Sequence, residues 1–222
     1  MMTIEMQGVT KVIKRNKIID DVSVSFSSGK VYGLKGINGS GKTMMMRLIS
    51  GLIRPNKGQI LINGKRLWKD LIFPESIGIL IENPSFLDDY SGLENLKILA
   101  GLKKKIDENT IRETIAAAGL DPNDKKKYKK YSLGMKQRLG IAAAVMEHPE
   151  ILLLDEPTNA LDSTGIEQLK KIVEKEKQRG ALVILTCHDF ELLKEFCDEI
   201  YYIDNGKITD HSIEKKEESG QT

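Results

Sequence analysis

The chain has 222 residues, and its 34 basic and 32 acidic side chains leave a formal net charge of only +2. This balance excludes a strongly basic nucleic-acid-binding protein and an acidic tail protein on charge alone. The length allows one large domain, and two cysteines are too few for a disulfide framework. No apolar run approaches the roughly 18 residues of a membrane-spanning helix, and no secretory signal opens the sequence, so we expect a cytoplasmic chain.

Short, continuous apolar runs recur along the chain and predict strands that are buried on both faces of a sheet. These runs cover residues 31–34, 59–62, 77–81, 151–154, 182–186 and 200–203. Helical patterns lie between several of them, and this alternation predicts an α/β fold with a mostly parallel core sheet. We expect one domain over residues 1–222, with a flexible polar tail at residues 214–222.

The middle of the chain, at about residues 84–148, shows no convincing strand and predicts an inserted α-helical subdomain. A capping-box pattern at residues 91–94 starts the first helix. A second helix is predicted over residues 107–119, with an aspartate as its cap and a glycine at its end. A third helix is predicted over residues 134–147.

A phosphate-binding loop is predicted between the first apolar run and the helix that follows it. The segment matches G-x-x-x-x-G-K-[ST] and consists of Gly36, Ile37, Asn38, Gly39, Ser40, Gly41, Lys42 and Thr43. Its glycines allow backbone N–H groups to surround a phosphate, and the helix start adds partial positive charge. Lys42 can reach the β- and γ-phosphates, and the Thr43 hydroxyl can bind Mg²⁺. This pattern predicts an ATP–Mg²⁺ site.

Two carboxylates follow the buried run at residues 151–154. Ligands of open α/β sheets bind at the carboxyl ends of the strands, where Asp155 and Glu156 are expected to lie. Neighbouring side chains diverge from an extended backbone, so Asp155 can hold Mg²⁺ while Glu156 points at the water that attacks the γ-phosphate. The pair predicts a catalytic role for Glu156.

The phosphate loop, the acidic pair and three further motifs occur in the order typical of one family. Over nearly its whole length, the chain resembles the nucleotide-binding subunit of ABC (ATP-binding cassette) transporters. The later motifs are a signature segment at residues 131–138, a D-loop at residues 159–162 and a switch histidine. The resemblance adds Ser132, Gly134 and Asp162 as nucleotide-binding residues and His188 as a catalytic residue, beside Lys42 and Glu156. It also implies a P-loop NTPase fold with a small N-terminal antiparallel β part.

The resemblance implies an ATPase that drives a separate integral-membrane permease, and no nucleic-acid partner. Two cassettes, as a homodimer or another pair, would enclose ATP between one phosphate loop and the partner's Ser132 and Gly134. The chain would then lie on the inner face of the cell membrane through its permease. The alternative is a soluble cassette ATPase without a permease, for example of the iron–sulfur assembly type.

Three positions differ from the common family pattern. Glu82 replaces the usual glutamine and is a third candidate Mg²⁺ ligand, while Leu133 replaces a glycine of the signature segment. Ile13 stands where an adenine-stacking aromatic is expected and offers only apolar contact. The first two differences resemble bacitracin-resistance and lantibiotic-immunity exporters, which implies export of a peptide antibiotic or drug. Pro84–Leu87 is a candidate surface for the permease.

Overall fold

The computed structural model describes residues 1–214, so most of the predicted tail lies outside the described residues. Ten strands and six α-helices occur within residues 1–214. In chain order they are β1 (Thr3–Ile13), β2 (Asn16–Ser27), β3 (Val31–Lys35), α1 (Lys42–Ile49), β4 (Lys57–Ile62), β5 (Lys65–Arg66), β6 (Ile77–Leu80), α2 (Gly92–Lys103), α3 (Glu108–Ala117), α4 (Leu133–Val145), β7 (Ile151–Leu154), α5 (Ser163–Gln178), β8 (Leu182–Thr186), α6 (Phe190–Phe196), β9 (Glu199–Asp204) and β10 (Lys207–Ile213).

The core is a six-stranded sheet with the order β10-β9-β3-β8-β7-β6. All neighbouring strands pair in parallel except β10, which is antiparallel to β9. The central strands are buried on both faces: Leu153 packs in one hydrophobic cluster, and Leu152 and Leu154 pack in the other. This arrangement confirms the predicted α/β fold with a mostly parallel sheet.

A second, antiparallel sheet has the order β2-β1-β4-β5 and confirms the predicted N-terminal β part. The prediction of burial on both faces is wrong for residues 59–62, and also for residues 77–81, where Ile79 of the edge strand β6 is exposed. Ile60 and Ile62 are buried, whereas Gln59 and Leu61 between them are partly exposed. Only one face of this sheet packs on the core, so β4 alternates as half-buried antiparallel strands do.

The segment between β6 and β7 is helical, as predicted, and contains none of the described strands. The capping box at Ser91 is present: its hydroxyl accepts the backbone N–H of Glu94, whose carboxylate accepts the backbone N–H of Ser91. Asp107 caps α3 by accepting the backbone N–H of Thr110 at 2.9 Å. These bonds satisfy N–H groups that the first turn of a helix otherwise leaves unpaired.

Helix α4 packs against the edge strand β6 at backbone contact distance. A Cβ on Gly78 would lie 1.8 Å from the carbonyl oxygen of Ala144. A Cβ on Gly140 would in turn lie 2.8 Å from the Cβ of Pro84. These two glycines let the helix and the sheet approach each other, so the end of β6 and the following loop have a fixed position against α4.

Gly78→Ala is expected to destabilise the protein because the added methyl group requires α4 to move away from the sheet. We expect a loss of about 1–3 kcal/mol in the free energy of unfolding, measured by urea denaturation. Gly101→Ala is the control: no atom lies within 4 Å of its Cβ position in α2. That change should stabilise by up to about 1 kcal/mol. Equal stabilities of the two variants would contradict the close contact.

Candidate functional site

The predicted phosphate loop joins β3 to α1 at the carboxyl end of the core sheet. Gly41 precedes α1 with a φ of 116°, and a Cβ there would lie 2.9 Å from the carbonyl oxygen of Ile18. Gly36 has a different constraint, since a Cβ would lie 2.2 Å from the carbonyl oxygen of Ile203. The loop thus requires glycine at its two ends for close packing against β2 and β9.

Lys42 folds back into this loop. Its ammonium group donates to the carbonyl oxygens of Gly36 at 2.7 Å and Ile37 at 3.1 Å, and the residue is buried. A buried charge needs such partners because it has lost its water. The positive charge of Lys42 is therefore held within the curve of the loop, where a phosphate would sit.

Asp155 lies at the end of β7 and contacts the loop directly. One carboxylate oxygen accepts the Thr43 hydroxyl at 2.6 Å, and the other accepts the Thr186 hydroxyl at 2.8 Å. Its backbone N–H donates to the carbonyl oxygen of Leu80 at 2.7 Å. The structure therefore brings together Thr43 and Asp155, two of the predicted metal ligands, although they are far apart in the sequence.

Glu156 adopts a left-handed backbone with a φ of 50°, and the Thr186 hydroxyl accepts its backbone N–H at 2.8 Å. Its Oε1 lies 3.6 Å from Nε2 of His188. Its Oε2 is buried and has no hydrogen-bond partner among the described residues. Burial raises the pKa of Glu156; the His188 and Lys42 charges oppose this shift, while Asp155 adds to it.

An open pocket of about 390 Å³ contains these groups. Its walls are formed by Ile18, Asn38, Gly39, Gly41, Lys42, Thr43, Met44, Arg47, Glu82, Asp155, Glu156 and His188. This set includes the predicted catalytic residues Lys42, Glu156 and His188 and the predicted metal ligands Thr43, Asp155 and Glu82. The arrangement can hold an anion near Lys42 and a hard cation near Asp155, and the Glu156 carboxylate lies in the same pocket.

Three residues of the pocket wall were not predicted: Ile18, Met44 and Arg47. Arg47 forms an ion pair with Glu82, which follows β6 with a φ of 62°. Arg47 is one helical turn after Thr43, so helical spacing in α1 was an available signal. Ile18 lines the pocket, whereas Ile13, the predicted adenine contact, does not and lies at the end of β1, opposite Asn16. The adenine contact of Ile13 stays a prediction.

The predicted signature segment and D-loop lie next to each other but do not line this pocket. Ser132 caps α4 by accepting the backbone N–H of Met135 at 3.2 Å. A Cβ on Gly134 would lie 2.8 Å from the carbonyl oxygen of Ala160 in the D-loop segment. The structure therefore joins these two segments to each other and separates them from the phosphate loop of the same chain.

Asp162 caps α5 by accepting the backbone N–H of Gly165 at 2.9 Å, and it forms an ion pair with Arg138 at 2.7 Å. The hydrogen bond from Gly165 and the Arg138 charge lower the pKa of its carboxyl. Arg138 extends from the signature helix α4, so this ion pair ties the predicted D-loop to the predicted signature segment.

The family model described as "ABC transporter" matches residues 19–159. The chain is 46% identical over 205 residues to an uncharacterised ABC transporter ATP-binding protein, YybJ, of Bacillus subtilis, covering 92% of this chain and 94% of that protein. It is 37% identical over 210 residues to the bacitracin transport ATP-binding protein BcrA of Bacillus licheniformis, with coverages of 92% and 68%. It is 36% identical over 207 residues to the lantibiotic transport ATP-binding protein SrtF of Streptococcus pyogenes, with coverages of 92% and 88%.

Among solved structures, the fold matches the dimeric ATP-binding cassette MJ0796 in a post-hydrolysis state bound to ADP and phosphate. The TM-score is 0.88 at 24% identity, and the match covers 96% of this chain and 99% of that one. In the described part of the chain, no helix is long and apolar enough to span a bilayer. The similarity to transport proteins supports the transporter prediction over the soluble alternative. The chain belongs to the ABC transporter family, as an ATP-binding cassette that hydrolyses ATP to power transport.

Proposed function

We propose that this cassette powers a separate membrane permease that exports a peptide antibiotic or related drug, and that it works at the inner face of the membrane through that permease. The observation that carries the ATPase chemistry is the convergence of Lys42, Asp155 and Glu156 on one pocket. The similarity to bacitracin and lantibiotic transport proteins supports the class of cargo. Residues 84–148 would form the helical subdomain that meets the permease.

In this proposal the triphosphate of ATP lies in the phosphate loop. Backbone N–H groups between Gly36 and Thr43 donate to its oxygens, as does the first turn of α1. The Lys42 ammonium exchanges its two carbonyl partners for phosphate oxygens, which are stronger acceptors because they are charged. Ile18 lines the pocket and offers apolar contact to the base.

The residues near Asp155 suit Mg²⁺. Thr43 and Asp155 supply hard oxygen donors 2.6 Å apart, and Glu82 lines the same pocket. Within residues 1–214, no group of three or more His, Cys, Asp or Glu side chains could hold a metal. This fits Mg²⁺, which usually binds through one or two carboxylates together with substrate phosphates. A bound Mg²⁺ would neutralise negative charge on the phosphate oxygens.

Glu156 is proposed as the general base for the attacking water. Its unpartnered Oε2 can accept a proton, and its raised pKa makes it a stronger base than an exposed glutamate. His188 Nε2 lies 3.6 Å from the Glu156 carboxylate, and it is proposed to orient the same water and to contact the γ-phosphate. Lys42 and His188 would both stabilise the negative charge that develops on the phosphate in the transition state.

Ser132, Gly134 and Asp162 are proposed to complete the site of a second cassette. None of them lines the pocket of its own chain, and Leu133 between the first two is 75% exposed at the start of α4. The first turn of α4 can donate backbone N–H groups to a γ-phosphate presented by another copy. ATP would then hold two cassettes together, and hydrolysis would release them.

A groove of about 390 Å³ beside Glu82 is the proposed contact for the permease. It contains Pro84–Phe86, and the half-exposed Leu52 and Leu99 form part of its wall. Arg47 and Glu82 border both this groove and the nucleotide pocket. A partner segment in the groove would therefore contact the same ion pair as the nucleotide.

Leu52→Asp is expected to prevent recruitment of the chain to membranes that contain its permease, because a charge in the groove disfavours apolar docking. Sedimentation of the chain with such membranes measures recruitment, and stimulation of ATPase activity by bacitracin or a lantibiotic measures coupling. Leu102→Asp is the matched control, since Leu102 is 80% exposed and does not line the groove. Equal recruitment of both variants would contradict this docking site, and an absence of recruitment with any permease would contradict the transporter proposal.

A further inference from the structure

A second polar pocket, of about 230 Å³, lies on the antiparallel sheet. Its lining includes the buried Ile60 of β4 and Leu67, together with the residues Arg54, Arg66, Trp68 and Lys69. It shares no lining residue with the nucleotide pocket. The ATPase mechanism therefore does not account for the residues that form it.

The pocket carries unbalanced positive charge. Arg54, Arg66 and Lys69 line it, and their charged groups form no ion pair or hydrogen bond with any described residue. None of the Asp and Glu residues within residues 1–214 lines it. The nearby Asp70 carboxylate accepts the backbone N–H of Arg66 at 2.8 Å, so its hydrogen bond goes to the backbone rather than to a guanidinium. Three unpaired cations at one concavity attract an anion.

The single tryptophan of the chain, Trp68, also lines this pocket. The indole N–H of Trp68 is buried and has no hydrogen-bond partner among the described residues. The residue is held in place, since its backbone N–H donates to the carbonyl oxygen of Leu71 at 2.6 Å and its ring lies 6.1 Å from that of Phe73. A buried donor without an acceptor is unfavourable, so a ligand oxygen that accepts this N–H would relieve the cost.

We propose that this pocket binds a phosphate group, separately from the nucleotide. Two guanidinium groups, an ammonium group and an indole N–H together offer more donors than a carboxylate can accept, and guanidinium groups bind phosphate oxygens in pairs. The phosphate can belong to a free anion or to a lipid headgroup at the membrane surface. This inference does not depend on the proposed cargo or permease.

Inorganic phosphate is the first probe, and Trp68 emission is the readout because the chain has no other tryptophan. Phosphate should shift this emission in the native chain. Arg54→Gln and Arg66→Gln should each weaken the response about tenfold, as expected for the loss of a charge-assisted hydrogen bond. Lys42→Ala, which alters only the nucleotide pocket, should keep the full response.

A second readout is the ³¹P line width of inorganic phosphate, measured in the Lys42→Ala background so that the phosphate loop contributes little. Trp68→Phe keeps an aromatic ring but removes the indole N–H, and it should reduce the broadening.

Vesicles of phosphatidylcholine with and without phosphatidic acid, again with Trp68 emission as the readout, distinguish a lipid phosphate from a free phosphate anion. A response only to phosphatidic acid assigns the pocket to lipid, and a response to inorganic phosphate assigns it to free anions. The proposal would be overturned if neither inorganic phosphate nor phosphatidic acid gave a response. It would also be overturned if the response persisted in the Arg54→Gln/Arg66→Gln double variant.

Discussion

Replacing Glu156 with glutamine is expected to stop ATP turnover while leaving ATP binding intact. Glutamine has nearly the same shape, but its amide cannot take a proton from the attacking water. A positioned general base contributes roughly 10²- to 10⁴-fold to such a step, and we expect a loss of about that size in kcat. The phosphate-loop contacts of Lys42 do not involve Glu156, so affinity for ATP should be retained. Phosphate release and equilibrium ATP binding measure the two effects.

The same variant should accumulate as a dimer in the presence of ATP, because the nucleotide that joins two cassettes is not consumed. Size-exclusion chromatography with and without ATP measures this. Glu150→Gln is the matched control, since Glu150 is an exposed carboxylate just before the opposite end of β7. It should turn over ATP at the native rate and remain monomeric after the ATP is spent. Native turnover by the Glu156 variant would show that another group is the base.

Lys42→Ala is expected to weaken ATP binding about 10- to 100-fold, because hydrogen bonds from a charged donor contribute about 1.5–3 kcal/mol. The ammonium group is the one side-chain cation that the loop itself holds among the described residues, through the carbonyl oxygens of Gly36 and Ile37. Isothermal titration with ATP–Mg²⁺ measures the change.

Lys35→Ala is the control for this variant. Lys35 ends β3 just before the loop, but its ammonium group lies 3.1 Å from the ring centre of Phe190 and does not line the nucleotide pocket. Removal of the Lys35 side chain should leave the affinity for ATP nearly unchanged. Thermal unfolding of both variants tests whether the loop remains folded. Unchanged affinity in Lys42→Ala would contradict the phosphate-loop assignment.

Local signals in the sequence predicted much of the fold correctly. The apolar runs at β7 and β8 have the predicted bounds, and the caps at Ser91 and Asp107 lie where the pattern placed them. These features depend on burial or on hydrogen bonds within a few residues, which a linear pattern records. The exposed positions of β4 and β6 were predicted wrongly because an apolar run does not show which sheet a strand joins or whether the strand lies at an edge.

The candidate site was predicted only in part. The phosphate loop and the acidic pair are contiguous motifs, so Lys42 and Asp155 could be named in advance. The Arg47–Glu82 ion pair and the contribution of Ile18 depend on how α1, β2 and β6 pack together. Contacts between distant segments leave no periodic signal in one sequence. The unpaired indole of Trp68 was also beyond prediction, because only the packed structure shows that its N–H is buried.

Helix α4 connects two close backbone contacts, one with β6 near its C-terminal end and one with the D-loop segment near its N-terminal end. Its 13 residues give a length of about 20 Å. The contact between Gly78 and Ala144 lies close to its C-terminal end, whereas Ser132 caps the other end. A tilt of about 10° at that contact moves the Ser132 end by about 3 Å, roughly one hydrogen-bond length. A displacement of β6 would therefore reach both Ser132 and the D-loop segment, because the same helix contacts all three.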